Sequence, residues 1–399
     1  MAYKTVRDLD VANKAVVVRV DYNVPVKDGV VGDTLRIEAS FETIRYLLEK
    51  GCRLILLSHL GEPKTNDRSL SLRPVASKAA ELLGVPIGFI GDCVGQEVRH
   101  AISTLQTGQI IMLENLRFNP GETANDEQFA RTLASYGEVY VDDAFAVIHR
   151  AHASLVGIPK YLPSGIGFLV EREVNTIFSA LESPKRPLLA VIGGVKISTK
   201  APILNNLLPK VDNLLIGGAM ANTFLAASGL EVGKSLVEVD QQSLASEIIS
   251  AAKAKGKTLI IPTDVVVSVA IDGSQPTRVA PSTGVSPTEH IVDIGPETIE
   301  QALALIEGGT VIWNGPLGIT EVPQFAAGTR KLADGIVSSG AFSLIGGGDT
   351  ADYIDGAGLH NSFSFVSTGG GASLDLMSGK PLPGLVAIET GVERALGTS

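Results

Sequence analysis

The stretch FSFVSTGGGASLD, residues 363–375, places three consecutive glycines between an apolar run and a segment with helical spacing. An apolar run, a turn and an amphipathic segment in this order predict a buried strand that leads directly into a helix. Gly369, Gly370 and Gly371 can form a loose connection, or they can let the oxygen atoms of a ligand approach the backbone. Because amides at a helix N-terminus bind phosphate, the second interpretation predicts a phosphate site.

The same order of strand, turn and helix recurs along the whole chain. Apolar runs alternate with segments of helical spacing, such as 37–50 and 72–83. Near-continuous runs of Val, Ile and Leu are typical of strands in a parallel sheet covered by helices. The sequence therefore predicts an α/β protein with doubly wound parallel sheets. The runs are AVVVRV (15–20), RLILLS (53–58), QIIML (109–113), EVYVDD (138–143), LLAVIGG (188–194), NLLIGG (213–218), TLIIPTD (258–264), TVIWNGP (310–316), FSLIGGGD (342–349) and FSFVSTGG (363–370).

The chain length predicts two domains, because 399 residues exceed what one hydrophobic core usually supports. The boundary is expected within 161–187, where prolines and glycines lead into a helical pattern that ESPKRP ends. We interpret 170–182 as a hinge helix that joins two Rossmann-like domains, the first over 1–169 and the second over 170–384.

Composition narrows the class of protein. The chain is 45% hydrophobic and 19% charged, which is typical of soluble globular proteins. Its net charge of −10 argues against a nucleic-acid partner and favours the cytoplasm, where we expect a monomer. MAYKTVRDLD at the N-terminus does not resemble a signal peptide, and no apolar run is long enough to span a membrane. Cys52 and Cys93 lack CxxC spacing and are expected to be small buried side chains.

Basic and polar side chains follow the apolar runs of the first half. Ligands of open parallel sheets bind beyond the carboxyl ends of the strands, so these positions are candidate contacts. Eleven of the sixteen arginines lie in residues 1–170, and arginine grips phosphate or carboxylate through paired hydrogen bonds. The set predicts a site for a small polyanion with hydroxyl groups, although for Asp143 we favour the role of a cap or a supporting residue. Its members include Arg19, Asp21, Asn23, Arg36, His59, Arg117, Asp142, Asp143, His149, Arg150 and His152.

Glycines follow the apolar runs of the second half. One glycine turn is weak evidence, because tight turns need glycine, but five turns in one half favour a nucleotide site. SGLEVGKS (228–235) lacks the first glycine of a phosphate-binding P-loop and follows a helical segment, so we exclude it. The five turns are Gly193-Gly194, Gly217-Gly218, Asn314-Gly315, Gly346-Gly347-Gly348-Asp349-Thr350 and Ser367-Thr368-Gly369-Gly370-Gly371.

Two lysines and one carboxylate indicate what this second site does. Lys196 and Lys200 lie one helical turn apart, so both can approach a transferring phosphoryl group. Asp349 is a candidate Mg²⁺ ligand, because magnesium at nucleotide sites takes carboxylate and phosphate oxygens. A carboxylate acceptor is already ionised at neutral pH and needs no general base. Catalysis is then expected to rest on positioning, charge stabilisation and domain closure.

Nine longer motifs extend these patterns over nearly the whole chain. They are VRVDYNVP (18–25), SHLGEPK (58–64), LENLRF (113–118), HRAHAS (149–154), GGVKISTK (193–200), IGGAMANTFL (216–225), WNGPLGITE (313–321), GGGDTA (346–351) and STGGGASLD (367–375). In this order they resemble the phosphoglycerate kinase family. The resemblance implies two α/β domains, with a C-terminal tail over 385–399 that returns to the first. It also implies reversible phosphoryl transfer between Mg-ATP and the carboxylate of 3-phosphoglycerate, which gives ADP and 1,3-bisphosphoglycerate.

In the first domain the resemblance implies the contacts of the acceptor. Asp21 and Asn23 match residues that hold the glycerate hydroxyl and carboxylate, and Arg36 matches an arginine that also stabilises the transferring phosphoryl group. The remaining matches, to anchors of the 3-phosphate and the carboxylate, are His59, Arg117 and Arg150.

In the second domain the resemblance implies the contacts of ATP and ADP. Lys196 matches a lysine that follows the moving phosphoryl group, and Lys200 matches one that grips the nucleotide phosphates. Besides Lys200, the predicted nucleotide contacts are Gly217 and Gly218 for adenine and Glu321 for ribose. The predicted contacts of Mg²⁺ and phosphate are Asn314, Gly347, Gly348, Asp349 and Thr350, with Asp349 as the metal ligand. The predicted catalytic set is Arg36, Lys196, Gly348, Gly370 and Gly371.

Two departures from the family pattern concern the first domain. Glu62 stands where the family usually has arginine, and this reversed charge should weaken binding unless the side chain turns away. Ala146, Val147 and Ile148 replace a smaller and more polar turn. Two other functions stay open, a non-catalytic phospholigand-binding protein on the same scaffold and a kinase for a different small carboxylic acid.

Overall fold

The computed structural model describes residues 3–64 and 67–396, with side chains described through residue 390. The chain divides into two compact units, of which the first runs through Val174 and resumes at Pro381. The second unit runs from Asn175 to Lys380. The assignment of an acceptor domain to 1–169 and a nucleotide domain to 170–384 remains a prediction. Of the tail predicted over 385–399, residues 397–399 lie outside the described part of the chain.

Eight strands build the sheets of the first unit in the part of the chain that the structure describes. They are β1 (Ala15–Val20), β2 (Val26–Lys27), β3 (Val30–Val31), β4 (Arg53–Leu57), β5 (Ile87–Ile90), β6 (Ile110–Leu113), β7 (Val139–Asp143) and β8 (Ser164–Ile166). Six of them form a parallel sheet in the order β5-β6-β4-β1-β7-β8, while β2 and β3 form a hairpin. All of β1 is buried, with Val16 and Val18 in one apolar core and Val17 in the other. Both faces of this sheet are therefore covered, as the continuous apolar runs predicted.

Among the described residues, six α-helices belong to the first unit before the connection to the second. They are α1 (Leu35–Glu38), α2 (Phe41–Glu49), α3 (Arg73–Leu83), α4 (Gln96–Thr104), α5 (Pro120–Thr123) and α6 (Glu127–Ala134). The helix predicted over 37–50 was wrong at its start. The hydroxyl of Ser40 donates to the carbonyl of Ile37 over 2.8 Å and pairs with the Tyr22 hydroxyl. Because a serine hydroxyl competes for backbone groups, the helix breaks at this point.

One helix, α7 (Phe168–Glu182), connects the two units along the chain, close to the predicted 170–182. Its first amides find side-chain acceptors, as helix N-termini require. Thr43 Oγ1 accepts the Phe168 amide over 2.9 Å, and Asp143 Oδ1 accepts the amide of Leu169 over 2.9 Å and that of Val170 over 3.3 Å. Asp143 thus caps α7, and burial raises its pKa to about 7.

Nine strands and seven helices form the second unit, and a last helix, α15 (Pro383–Leu396), belongs to the first. The strands are β9 (Leu188–Ile192), β10 (Asn213–Ile216), β11 (Thr258–Ile260), β12 (Asp264–Ser268), β13 (Arg278–Pro281), β14 (His290–Ile294), β15 (Thr310–Asn314), β16 (Phe342–Gly346) and β17 (Phe365–Val366). The helices are α8 (Ile197–Leu207), α9 (Met220–Ala227), α10 (Gln242–Ala254), α11 (Pro296–Leu303), α12 (Ala327–Ser338), α13 (Gly348–Gly356) and α14 (Gly371–Met377).

The second unit repeats the construction of the first. Its parallel sheet has the order β11-β10-β9-β15-β16-β17, so each unit has a six-stranded parallel sheet and the predicted fold class is confirmed. Trp313 on β15 is fully buried, as a core residue, and its indole donates to the Gly315 carbonyl over 2.8 Å. Among the described residues no helix is both long and apolar enough to cross a bilayer.

A three-stranded antiparallel sheet in the order β13-β12-β14 was not predicted. The apolar run 258–264 predicts one strand, which is wrong: β11 ends at Ile260 and β12 begins at Asp264 in the other sheet. Pro262 lies between them and has no amide to donate to a ladder. The carboxylate of Asp264 accepts the amide of Thr298 over 2.8 Å and thereby fixes the start of α11.

Candidate active site

The first unit contains a cleft of about 660 Å³ with a basic lining. Lys64, Arg117, Arg150 and His152 line it, together with the acid Glu62. Two predicted acceptor contacts, Arg117 and Arg150, therefore share one surface. A concave surface with this charge suits a small anion.

Arg117 reaches this cleft with part of its guanidinium already engaged. Its Nη1 donates to the Gly61 carbonyl over 2.7 Å and lies 3.5 Å from Glu62 Oε1. Burial lowers the pKa of Arg117, and the Glu62 carboxylate opposes this shift. The Glu62 side chain is 85% exposed, so the reversed charge lies at the solvent edge of the cleft.

Asp21, Asn23 and Arg36 form a second group of predicted contacts. Arg36 Nη1 donates to Oδ2 of the buried Asp21 over 2.8 Å, while Asp21 Oδ1 has no hydrogen-bond partner among the described residues. Asn23 Oδ1 accepts the amide of Gly61 over 2.8 Å, in the loop whose carbonyl receives Arg117. The remaining oxygen of Asp21 can accept a hydrogen bond from a substrate hydroxyl.

His59 follows β4 and is almost completely buried. Its Nδ1 lies 3.1 Å from Arg19 Nη2 and 3.8 Å from Asp21 Oδ1. Burial lowers the pKa of His59 well below its ordinary value, and the nearby cations Arg19 and Arg117 lower it further. The imidazole is therefore neutral at neutral pH.

The apolar turn that departs from the family pattern packs against the C-terminal helix. Val147 belongs to a small apolar cluster with Val156, against which Ala387 of α15 packs. Ile148 is fully buried, and its carbonyl accepts the Gly384 amide over 2.9 Å. Val147 and Ile148 thus pack beside α15 within the first unit.

In the second unit a cleft of about 190 Å³ gathers residues that follow four strands of the parallel sheet. α8 follows β9 and supplies Lys200, Asn314 is the last residue of β15, and the other residues follow β15, β16 and β17. The structure thus brings together eight predicted nucleotide or catalytic residues. They are Lys200, Asn314, Gly347, Gly348, Asp349, Thr350, Gly370 and Gly371.

Hydrogen bonds tie these strand ends to one another. Lys200 Nζ donates to Asn314 Oδ1, and Asn314 Nδ2 donates to the Gly346 carbonyl over 2.8 Å. The Gly315 amide donates to Thr350 Oγ1 over 2.7 Å. Asn314 and Thr350 are both buried, so each holds neighbouring loops in place as well as facing the cleft.

The three glycines that follow β17 have different surroundings. The Gly369 amide donates to Ser367 Oγ over 3.1 Å, within the same turn. Gly370 has φ +48° and ψ −108°, and Gly371 begins α14. Only glycine adopts such a backbone without strain. The cleft is lined by Gly370 and Gly371, which narrows the predicted phosphate cradle to these two.

Lys196 precedes α8 as its N-cap residue and is exposed. The carboxylate of Glu238 accepts the Ile197 amide over 2.5 Å and the Ser198 hydroxyl over 2.6 Å at the first turn of this helix. Thr199, between the two lysines, donates its hydroxyl to the Lys196 carbonyl over 2.9 Å. Lys196 does not line the cleft that contains Lys200, so the structure brings only the second lysine to it.

A narrow apolar slot lies at the predicted adenine platform. Gly217, Gly218 and Leu317 line it together with the buried Asp293, whose pKa burial raises to about 7. A side chain at position 217 would collide with Leu317, so glycine keeps this slot open. Glu321, the predicted ribose contact, is exposed in the turn before Pro323 and lines neither the slot nor the phosphate cleft.

The sequence assigns no specific role to several polar residues around these clefts. Arg19 is predicted only as one member of the polyanion site, Ser154 appears only within the motif HRAHAS, and Glu122 and Glu238 are in neither set. For these residues the sequence offers one signal, which is Arg19 itself, a charged residue within the apolar strand VVVRV. Among the described residues no cluster of three or more His, Cys, Asp or Glu side chains could hold a metal ion.

Comparison with known proteins gives a consistent result. The family model described as "Phosphoglycerate kinase" matches residues 6–380. A phosphoglycerate kinase of Dictyoglomus turgidum is 46% identical over 394 residues, which cover 98% of this chain and 100% of the relative. A phosphoglycerate kinase of Moorella thermoacetica is 47% identical over 390 residues, which cover 97% of this chain and 99% of the relative.

Solved structures agree with this match. The phosphoglycerate kinase of Coxiella burnetii superposes with a TM-score of 0.89 at 38% identity, over 98% of this chain and 99% of that one. The phosphoglycerate kinase of Pyrococcus horikoshii superposes with a TM-score of 0.85 at 31% identity, over 98% of this chain and 100% of that one.

Proposed function

Since the chain belongs to the phosphoglycerate kinase family and catalyses reversible phosphoryl transfer between ATP and 3-phosphoglycerate, a step of glycolysis, we propose how its own residues divide this work. The phosphate cleft of the second unit carries the proposal. Its eight lining residues of predicted function follow separate strands that lie far apart in the sequence, and a parallel sheet binds ligands at such ends.

The acceptor binds to the basic cleft of the first unit. Arg117 and Arg150 hold its phosphate, and their place at one cleft supports this assignment. Asp21 accepts the glycerate hydroxyl through its unpartnered Oδ1, while Asn23 and His59 contact the same molecule. Arg36, held by Asp21, balances the negative charge of the acceptor carboxylate and of the transferring phosphoryl group.

ATP and ADP bind to the second unit. Gly217 and Gly218 form the adenine platform, Glu321 contacts the ribose, and Lys200 pairs with the phosphates. Gly347, Gly348, Gly370 and Gly371 offer backbone at the cleft, where a phosphoryl oxygen can approach amides. Lys196 follows the phosphoryl group during transfer, and its exposed position before α8 leaves it free to move.

The donor set at this cleft fits Mg²⁺. Asp349 is an exposed carboxylate in the first turn of α13, lies near Lys200 and lines the cleft where the phosphates would lie. Magnesium at nucleotide sites takes one or two carboxylates plus phosphate oxygens, so Asp349 and Thr350 would hold it there. When bound, the ion neutralises part of the phosphate charge.

This chain needs no general base for the transfer. The acceptor carboxylate is ionised at neutral pH, so its oxygen can attack the terminal phosphorus directly while the bond to the leaving ADP oxygen breaks. Arg36, Lys196 and the glycine amides then offset the charge on the oxygens of the transferring group. That hinge closure brings the substrates together remains a prediction, as do a monomeric state and a cytoplasmic location.

A coupled assay with 3-phosphoglycerate and Mg-ATP tests the assignment. The wild type should turn over, and Lys200→Met should raise the KM for ATP while leaving the KM for 3-phosphoglycerate unchanged. Lys210→Met is a matched control, because Lys210 pairs with Glu182 outside the cleft. Nucleotide binding without turnover, or turnover with a different acid only, would refute the proposal.

A further inference from the structure

Arg19 is a buried guanidinium at the end of β1 to which the reaction as described gives no role. Its relative exposure is 1%, and all three of its nitrogen groups have partners. Nε donates to Ser154 Oγ over 3.0 Å, and Nη1 donates to the Val20 carbonyl over 2.5 Å. Nη2 lies 3.1 Å from Nδ1 of His59. A buried charge with this many directed contacts has a fixed orientation.

The contact with His59 determines which ring nitrogen carries the proton. A guanidinium has only donors and is not deprotonated in proteins, so Nδ1 of His59 has to accept. The single proton of the neutral ring is then on Nε2. Arg19 engages Nδ1 alone, so the N–H of Nε2 is the donor that this ring can offer to a ligand.

A second buried charge holds Arg19 in this orientation. Glu122 on α5 accepts the Ser154 hydroxyl over 2.6 Å and the Ser154 amide over 3.0 Å. The Ser154 hydroxyl in turn accepts from Arg19 Nε. Burial raises the pKa of Glu122, while the charge of Arg19 and the bonds from Ser154 oppose this shift. The order Glu122, Ser154, Arg19, His59 is thus a continuous hydrogen-bonded chain.

The surroundings of His59 also keep the ring from becoming an imidazolium. Arg36 and Arg117 are the nearby cations besides Arg19, and His152 is a further basic group. Asp21 is the acid that faces the ring, with Oδ1 3.8 Å from Nδ1, too far for a hydrogen bond. Protonation of Nδ1 would break its bond with Arg19 and put two cations in contact.

We propose that Arg19 is a positioning residue that fixes His59 as the Nε2–H tautomer, so that this ring meets the acidic acceptor as a neutral hydrogen-bond donor. The acceptor contact rests on the proposed role of His59, whereas the tautomer is a property of the free protein. A ring that could titrate or exchange tautomers would present the donor only part of the time.

Nuclear magnetic resonance on ¹⁵N-histidine-labelled wild type tests the tautomer without any substrate. The His59 signals, assigned by their loss in His59→Gln, should show a protonated Nε2 and an unprotonated Nδ1 between pH 5.5 and 8.5. A protonated Nδ1, or an imidazolium that titrates within this interval, overturns the proposal. This result does not depend on turnover, so it is distinct from a failure of the proposed function.

Two substitutions separate positioning from a merely structural role. Arg19→Met removes the donor and should give a mixture of tautomers, with a KM for 3-phosphoglycerate raised about tenfold, the effect expected for one hydrogen bond to a charged ligand. Arg19→Lys keeps a donor-only cation and should retain the Nε2–H signals and most of the affinity. Equal behaviour of the two variants, with unchanged signals in Arg19→Met, overturns the proposal.

Ser154→Ala keeps the test decisive if Arg19→Met does not fold. It removes the bond between the hydroxyl and Arg19 Nε, and it should raise the KM for 3-phosphoglycerate severalfold with an unchanged KM for ATP. Ser164→Ala is the matched control, because the hydroxyl of this buried serine donates to the Leu162 carbonyl outside the chain of contacts. If Ser154→Ala alters the tautomer and the acceptor KM no more than Ser164→Ala does, Glu122 and Ser154 do not hold Arg19.

Discussion

Replacement of Gly370 by alanine is the sharpest test of the phosphate cradle. The residue has φ +48° and ψ −108°, where a residue with a β-carbon is strained by about 1–3 kcal/mol. A β-carbon at this position meets no atom within 4 Å, so the variant has space and the cost is one of backbone conformation alone. Gly370→Ala can bear the strain, or it can rotate the peptide and turn the neighbouring amides away from the cleft.

Kinetics and unfolding together distinguish these two responses. If the peptide rotates, the loss of one amide donor to a developing negative charge lowers kcat about 100-fold. If the backbone holds, the free energy of unfolding in urea falls by about 1–3 kcal/mol and kcat changes little. We expect the first response to dominate, because an open neighbourhood offers little resistance to rotation of the peptide.

Gly358→Ala provides the matched control for Gly370→Ala. Gly358 has φ +70°, and its β-carbon would also meet no atom within 4 Å, but it follows α13 outside the cleft. It should lose about 1–2 kcal/mol of stability at wild-type kcat. If Gly370→Ala keeps both its stability, as a rotated peptide would, and its kcat, the amides at this position do not act on the transferring group and the cradle is refuted.

Three further predictions concern other parts of the molecule. Glu62→Arg should lower the KM for 3-phosphoglycerate, because it replaces an acid beside Arg117 at the edge of the basic cleft; an unchanged or higher KM in the coupled assay would contradict this. Glu238→Ala should lower the free energy of unfolding in urea by about 1–2 kcal/mol, because it leaves the first turn of α8 without its acceptor. In the same variant, kcat should fall by a larger factor than the KM for ATP rises. Burial raises the pKa of Asp143 from 3.8 to about 7, so folding takes up a proton and stability falls as the pH rises through that interval. Asp143→Asn should make this decline shallower, and an unfolding profile as steep as that of the wild type would refute the assignment.

Local sequence was sufficient to predict the parallel sheets and the ends of their strands. Runs such as 188–194 contain both the apolar strand and the glycines after it, so one stretch predicts a strand and the candidate binding turn at its carboxyl end. Lys200, Asp349 and Gly370 could be placed at one edge because carboxyl ends of parallel strands lie at the same edge. This reasoning needs no knowledge of strand order.

Features that depend on contacts between distant segments could not be predicted. β13 and β14 pair with β12 in antiparallel fashion, and nothing in their short sequences distinguishes this from a place in the large sheet. Glu238 reaches the start of α8 from 40 residues away, and Glu122 meets Ser154 across 32. In the sequence, a carboxylate that accepts a hydrogen bond from a distant backbone amide cannot be distinguished from one that is exposed to solvent.

The position of α15 has a consequence for how the chain is made. The first unit is discontinuous, because the segment from Pro381 onward joins the residues before Val174, and the Gly384 amide bonds to the Ile148 carbonyl. The second unit is one continuous segment, Asn175–Lys380, and all of it is synthesised before α15. On the ribosome the whole second unit is therefore made before α15, and the apolar cluster around Val147 lacks its contact with Ala387 until this last helix is synthesised.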